Sequence, residues 1–118
     1  MFQERLNAIA SRIHGALALC LVAADGIRVE SVSSAEDLDL DLLAAELVHQ
    51  VRLISDDHRD LEVGEVRHLA VSTDRLTIMV SELAAGYYLL LVLADPLSYG
   101  RARFELRRAR LMFENDLA

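Results

Sequence analysis

Apolar positions recur along the chain with two different periods, which predicts a mixed α/β domain. Residues 2–13 have apolar side chains at helical spacing, so we expect a first helix that ends before Gly15. Residues 16–23 are almost wholly apolar, and residues 27–32 form a second such run. Asp25-Gly26 between the two runs predicts a β-hairpin with a type I′ turn, which needs positive φ at both central positions.

A second helix is predicted from Leu38 to Ile54. Ser34 followed by Asp37 resembles a capping box, and acidic residues crowd the first turn. One apolar stripe of this helix comprises Leu40, Leu43, Leu47, Val51 and Ile54. A second, partly apolar edge comprises Leu42, Ala45, His49 and Leu53. One stripe is enough for packing on a sheet, so the second edge either contacts another chain or belongs to one wide, well-covered stripe.

The second half of the chain predicts a three-strand meander and a last helix. Residues 66–73 and 76–80 alternate between apolar and polar side chains, and residues 87–94 form a nearly continuous apolar run. Asp95-Pro96 predicts the start of the third helix, with Asp95 as its cap. The buried stripe of that helix should comprise Tyr99, Ala102, Leu106, Ala109 and Phe113.

The predicted order is helix, two strands, helix, three strands, helix. The first and fifth strands are apolar on both faces, so they should be central, with the other three strands toward the edges. Helices 1 and 3 could then cover one face of the sheet and helix 2 the other. A length of 118 residues fits one domain, so we expect a single domain over residues 1–118.

Composition and charge narrow the function classes. The longest apolar runs are too short to cross a bilayer and no signal peptide is recognisable, so we expect a cytoplasmic protein without direct membrane insertion. Cys20 is the single cysteine, which excludes an internal disulfide. The net charge of −7 argues against a nucleic-acid partner. Residues 36–65 hold ten acidic and two basic residues, a net charge of −8, which could steer a basic partner or simply maintain solubility.

Patterns for catalysis and cofactor binding are weak. All five glycines are isolated, so there is no phosphate-binding loop, and we expect neither a GTPase nor a kinase, no catalytic residue and no cofactor. Asp56-Asp57-His58 could contact a metal, but a solvated loop is the more typical interpretation. Asp37-x-Asp39-x-Asp41 has Leu42 where a calcium loop needs Gly, so no metal is expected there.

Arginines mark one face of the third helix at Arg103, Arg107 and Arg110. Such a stripe could stabilise phosphate charge as an arginine finger does. More often it is a solvated helix face near a helix C-terminus, where positive charge is favoured.

The joint order and spacing of these elements resemble the roadblock/dynein-light-chain family over nearly the full chain. Gly15-Ala16-Leu17-Ala18 leading into residues 22–27 resembles the first hairpin of the family, and residues 42–47 resemble its central helix. Residues 64–69 resemble the entry into its third strand. Residues 86–93, followed by Pro96 and Gly100-Arg101, resemble its last strand and helix start. The likeness is greatest to the bacterial MglB-like branch, small partners of Ras-like GTPases.

The resemblance implies a roadblock/profilin-like fold: a five-stranded, mostly antiparallel sheet of order 2-1-5-4-3, with helices 1 and 3 on one face and helix 2 on the other. It implies a homodimer in which strand 3 pairs across a two-fold axis and the second helices lie side by side. The implied dimer interface comprises Arg67, His68, Leu69, Ala70, Val71, Ser72 and Ala45.

The resemblance also implies a non-catalytic module that binds and regulates a small Ras-like GTPase, at most as a GTPase-activating accessory protein that donates no arginine. The implied docking positions are Asp39, Leu42, Glu46, His49, Gln50 and Leu53. Other members of the fold are scaffolds, so a dimeric adaptor that ignores nucleotide state is the main alternative. A small-molecule sensory domain is a further alternative, although the apolar strands favour a filled core.

Overall fold

Residues 2–59, 61–94 and 96–117, which the computed structural model describes, contain three α-helices and five strands in the predicted order. Helix α1 spans Phe2–Ala10, strands β1 and β2 span Ala16–Val22 and Arg28–Ser33, and helix α2 spans Leu40–Arg59. Strands β3, β4 and β5 span His68–Ser72, Thr77–Glu82 and Tyr88–Leu93, and helix α3 spans Tyr99–Leu117. The predicted cap Asp95 lies outside the described residues, and a short 3-10 turn at Pro96–Ser98 precedes α3.

The five strands form one sheet of order β2-β1-β5-β4-β3, with every neighbouring pair antiparallel. This confirms the implied order and the central place of β1 and β5. Strand β4 differs from its prediction, because it is buried on both faces rather than half exposed. Its small polar residues are paired where they are buried: Ser81 Oγ lies 2.7 Å from His68 Nδ1, and Thr77 Oγ1 lies 3.2 Å from Ser72 Oγ.

Each face of the sheet carries its own apolar core. On one face, α1 and α3 contribute Leu6, Ile9, Leu106 and Phe113, which pack with alternate residues of β1, β4 and β5. On the other face, α2 contributes residues such as Val48, which pack with the intervening residues of the same strands. The predicted division of the helices between the two faces is therefore correct. No helix in the described part of the chain is long and apolar enough to cross a membrane.

Helix α2 begins later and ends later than its periodicity predicts. Asp39 is its cap, since Asp39 Oδ1 accepts a hydrogen bond from the Leu42 N–H at 3.1 Å. The prediction of a capping box at Ser34 is wrong, because the Ser34 hydroxyl donates to the Leu17 carbonyl at 3.4 Å instead of capping the helix. The buried stripe is centred on Ala44 and Val48, which the predicted stripe omits.

The β1–β2 hairpin turns in a different way from the predicted type I′ turn. Gly26 has φ of +85°. Asp25 does not have the positive φ that a type I′ turn requires, since Glu62 is the one non-glycine residue with positive φ in the described ranges. The Gly26 N–H donates to the Ala23 carbonyl at 2.9 Å, and the Ala23 N–H donates to the Ile27 carbonyl at 3.0 Å. The loop therefore has three residues with a left-handed glycine last, the arrangement of a type I turn followed by a glycine bulge.

Candidate partner-binding surfaces

The outer face of α2 is an exposed, partly apolar strip. Leu42 is 58% exposed and Leu53 is 46% exposed. A helix rises about 1.5 Å per residue, so these two leucines stand roughly 16 Å apart along the axis. The predicted docking positions between them are all exposed: Glu46, His49 and Gln50. The second edge of this helix is therefore not part of a covered stripe in this chain.

The N-terminal end of α2 uses its acidic groups structurally. Asp39 is exposed, but its carboxylate already caps the helix. Asp41 forms an ion pair with Arg28 of β2 at 3.0 Å, which ties the helix start to the edge of the sheet. Of the predicted docking residues, Asp39 thus has a local role, whereas Glu46 directs its charge to solvent.

A groove of about 510 Å³ opens beside the C-terminal half of α2. Its wall on the helix includes His49 and Leu53, and its wall on the sheet includes Glu82 and Tyr88. Burial is the main cause that raises the pKa of Tyr88, and the neighbouring Glu82 carboxylate raises it further. Two predicted docking residues therefore border a concave feature large enough to receive side chains of a partner. We call it the α2 groove; its further lining residues are Arg52, Ser55, Asp56 and Glu65.

Strand β3 forms an open sheet edge, since among the described strands it pairs with β4 alone. Hydrogen-bonded and non-bonded residue pairs alternate along an antiparallel ladder. At one end of this ladder the Glu82 N–H donates to the Arg67 carbonyl at 2.9 Å. At the other end the Thr73 N–H donates to the Leu76 carbonyl at 2.8 Å. These two bonds identify the alternate residues of β3 whose main-chain N–H and C=O groups point toward β4.

Leu69 lies opposite Val80 and is separated by an even number of residues from both Arg67 and Thr73. Its N–H and C=O groups therefore point toward β4, as the bonded groups of those two residues do. The N–H and C=O groups of His68, Ala70 and Ser72 consequently point outward, to the open edge. Three residues of the predicted dimer interface thus present main-chain groups that no described strand pairs, and an incoming strand can bind them.

Ala45 is the one predicted interface residue that the fold places elsewhere. The residues from Arg67 to Ser72 are contiguous along the open edge, whereas the Ala45 backbone packs against Gly26 in the β1–β2 loop. Strand β2 and strand β3 occupy opposite edges of the sheet. The structure therefore does not bring Ala45 together with β3 within one chain.

The arginine stripe of α3 lines a pocket on the face of the sheet opposite α2. Arg103, Arg107 and Arg110 border a space of about 200 Å³ together with Arg67 and His68, which approach from the β3 edge. Burial, and next the Arg103 guanidinium, lower the pKa of His68 from its ordinary value of 6.5. The sequence indicates the arginine stripe, whereas Arg67 and His68 join it only in the folded chain, where the β3 edge lies beside α3.

Glu105 is a buried acid that the sequence did not single out. Its side chain is 1% exposed, and its carboxylate lies 3.3 Å from Arg108, 3.8 Å from Arg12 and 4.0 Å from Arg101. Spacings of three and four residues to Arg108 and Arg101 were the available signal, although such pairs are common on solvated helix surfaces. Glu105 therefore links α3 to the segment that follows α1.

Metal-ligating chemistry is not assembled in the described residues, which contain no group of three His, Cys, Asp or Glu side chains able to hold an ion. The side chains of Asp57 and His58, part of the candidate metal contact in the sequence, lie outside the described set.

Comparison with solved structures shows that the chain has the roadblock/LC7 fold. A Roadblock/LC7 domain from Streptomyces avermitilis matches with a TM-score of 0.87 at 17% identity, over 98% of this chain and 96% of that one. An MglB with a tetrameric arrangement matches with a TM-score of 0.85 at 17% identity, over 95% and 84%. MglC from Myxococcus xanthus matches with a TM-score of 0.70 at 26% identity, over 98% of both chains.

The resemblance to roadblock proteins, with MglB among the structural neighbours, is thereby confirmed for the fold. No protein-family profile and no curated protein matches the sequence itself.

Proposed function

We propose that this chain is a non-catalytic, dimeric roadblock module, one domain over residues 1–118, that binds and regulates a small Ras-like GTPase in the cytoplasm. The observation that carries the proposal is the exposed strip on α2 with Leu42 and Leu53 at its two ends. Exposed leucines rimmed by polar side chains such as Glu46 and Gln50 are typical of protein–protein contact sites.

Docking on this strip uses both shape and charge. The two leucines act as apolar anchors, and the α2 groove receives a side chain of the partner. Residues 36–65, with their net charge of −8, attract a basic surface of the GTPase and raise the association rate. Salt should therefore slow association more than it changes the dissociation rate.

Regulation on this surface proceeds through positioning of the GTPase's own residues. The arginines of α3 lie on the far side of the sheet from α2, so a partner held by α2 does not meet them. That separation argues against an arginine finger from α3 and supports a mechanism in which the module orders the partner's own catalytic groups.

The dimer forms through the open edge of β3. Outward main-chain groups at His68, Ala70 and Ser72 favour an antiparallel partner strand, and a two-fold axis satisfies both edges at once. The fold shared with an MglB of tetrameric arrangement supports self-association of this kind.

The test measures binding of purified Ras-like GTPases from the same cell, loaded with GDP or with a non-hydrolysable GTP analogue. We expect nucleotide-dependent binding by the wild type and a loss of roughly tenfold or more in Leu42→Asp, which places a charge in the strip. Leu111→Asp is the matched control, because Leu111 is 67% exposed on α3, across the sheet from the strip.

Two outcomes decide between the alternatives. Equal losses in the two variants would show that α2 is not the docking surface. Binding that ignores the nucleotide would favour a scaffold instead of a regulator. GTP hydrolysis measured with and without the module then gives the sign of the regulation.

A further inference from the structure

The pocket between α3 and the β3 edge concentrates positive charge. Four guanidinium groups line it, from Arg67, Arg103, Arg107 and Arg110, against one carboxylate, Glu82. Among the described residues, none of these four guanidinium groups has a hydrogen bond or an ion pair. The excess stands out in a chain whose net charge is −7.

Four other arginines of the chain are paired with acids. Arg12, Arg101 and Arg108 surround the Glu105 carboxylate, and Arg28 pairs with Asp41. Helix α3 therefore has two arginine-bearing faces: Arg101 and Arg108 lie within 4.0 Å of the buried Glu105 carboxylate, whereas the other arginines border an open pocket. Like charges that line one pocket repel each other, and a bound anion reduces that repulsion.

His68 adds a polar atom that lacks a partner. Its Nδ1 atom is 2.7 Å from Ser81 Oγ, whereas its Nε2 atom is buried without a hydrogen-bond partner in the structure. If the serine hydroxyl donates to Nδ1, Nε2 carries the ring proton and is a donor. A buried donor with no acceptor is unfavourable, and an anion in this pocket supplies the acceptor.

We propose that this pocket binds the phosphate group of a small phosphorylated ligand. Guanidinium groups match phosphate oxygens with paired, charge-assisted hydrogen bonds, and four are available here. A volume of about 200 Å³ holds a phosphate with several water molecules, since one water needs roughly 10–15 Å³ on the same measure. Leu106 provides an apolar wall for the part of the ligand next to the phosphate. The arginines of the site lie away from the exposed strip of α2, and Glu82 borders both this pocket and the α2 groove.

Calorimetry with inorganic phosphate tests the site on the full chain, with chloride at matched ionic strength as reference. We expect saturable binding that weakens at least tenfold in Arg107→Gln and in His68→Asn. Arg75→Gln is the matched control, because it removes the same charge from the exposed β3–β4 turn. Circular dichroism checks that each variant is folded, and the His68 ring signals in NMR report whether phosphate reaches the pocket.

A second arm distinguishes a free phosphorylated ligand from a lipid headgroup. Vesicles of phosphatidylcholine with and without phosphatidic acid are floated with the protein. Phosphate binding without flotation supports a soluble ligand, and flotation that requires Arg107 supports a lipid-borne phosphate. The proposal is overturned if phosphate binds no better than chloride, or if Arg75→Gln weakens binding as much as Arg107→Gln.

Discussion

The Cα atom of Ala45 lies 3.2 Å from the point where a Cβ atom on Gly26 would stand. Gly26 is buried and has φ of +85°, so the hairpin approaches the α2 backbone at a position that tolerates no side chain. We expect Gly26→Ala to lower the free energy of unfolding by about 1–3 kcal/mol, through left-handed strain and displacement of α2.

Urea denaturation measures that loss, and Gly100→Ala is its control. Gly100 lies in the first turn of α3 with open space around its ideal Cβ position. Alanine there should change stability by less than about 1 kcal/mol, in the favourable direction. Equal stabilities of the two variants would show that the hairpin does not press on α2.

A pair of proline substitutions tests the edge pairing of β3. The Ala70 N–H points outward, so Ala70→Pro removes a donor to a second chain while the β3–β4 ladder is kept. Light scattering should show a dimer for the wild type and a folded monomer for Ala70→Pro. Leu69→Pro instead removes a donor to β4, and we expect a lower melting temperature. A dimer that survives Ala70→Pro would contradict pairing through this edge.

Glu105 should be important for stability despite its place among exposed arginines. Glu105→Gln removes the charge that three guanidinium groups surround, at a site that is 1% exposed. We expect the free energy of unfolding to fall by about 1–3 kcal/mol. Glu114→Gln, at an exposed position of the same helix, should stay within about 0.5 kcal/mol of wild type. Parallel losses in urea denaturation would argue against a special role of the buried carboxylate.

His68 should make stability depend on pH below neutrality. Burial and Arg103 lower its pKa in the folded chain from 6.5, so the unfolded chain takes up a proton first as the pH falls. The contribution is therefore complete above pH 6.5 and declines below it, toward the folded pKa. Denaturation midpoints at pH 7.5 and about 5.5 should differ more for wild type than for His68→Asn. Equal differences would contradict this assignment.

The sequence predicted the architecture because its strongest signals are long apolar runs. Strands β1 and β5 are apolar on both faces, which predicts central strands whatever the details of their turns. Strand β4 has the predicted place in the sheet but not the predicted half exposure, since Thr77 and Ser81 look like solvent-facing residues. Both can be buried because polar partners on β3 satisfy them, the His68 ring for Ser81 and the Ser72 hydroxyl for Thr77.

Local details depended on contacts that a sequence does not display. Asp39 rather than Ser34 caps α2, because Ser34 is held by the Leu17 carbonyl of a distant strand. The turn at Gly26 is set partly by the neighbouring helix backbone. The α2 pattern was compatible with an exposed second edge or with one wide covered stripe. The packed fold decides for the exposed edge, since Leu42 and Leu53 are both exposed.

Cys20 can report the local separation of α2 from the sheet. It is the single cysteine, it is fully buried in the core beneath α2, and burial raises the pKa of its thiol to about 11. Thiolate is the reactive form, so the native protein should resist alkylation. The rate at which Cys20 is alkylated therefore reports how often α2 separates from the sheet. A partner that binds α2 should lower the rate of Cys20 alkylation, so binding can be followed without an added probe.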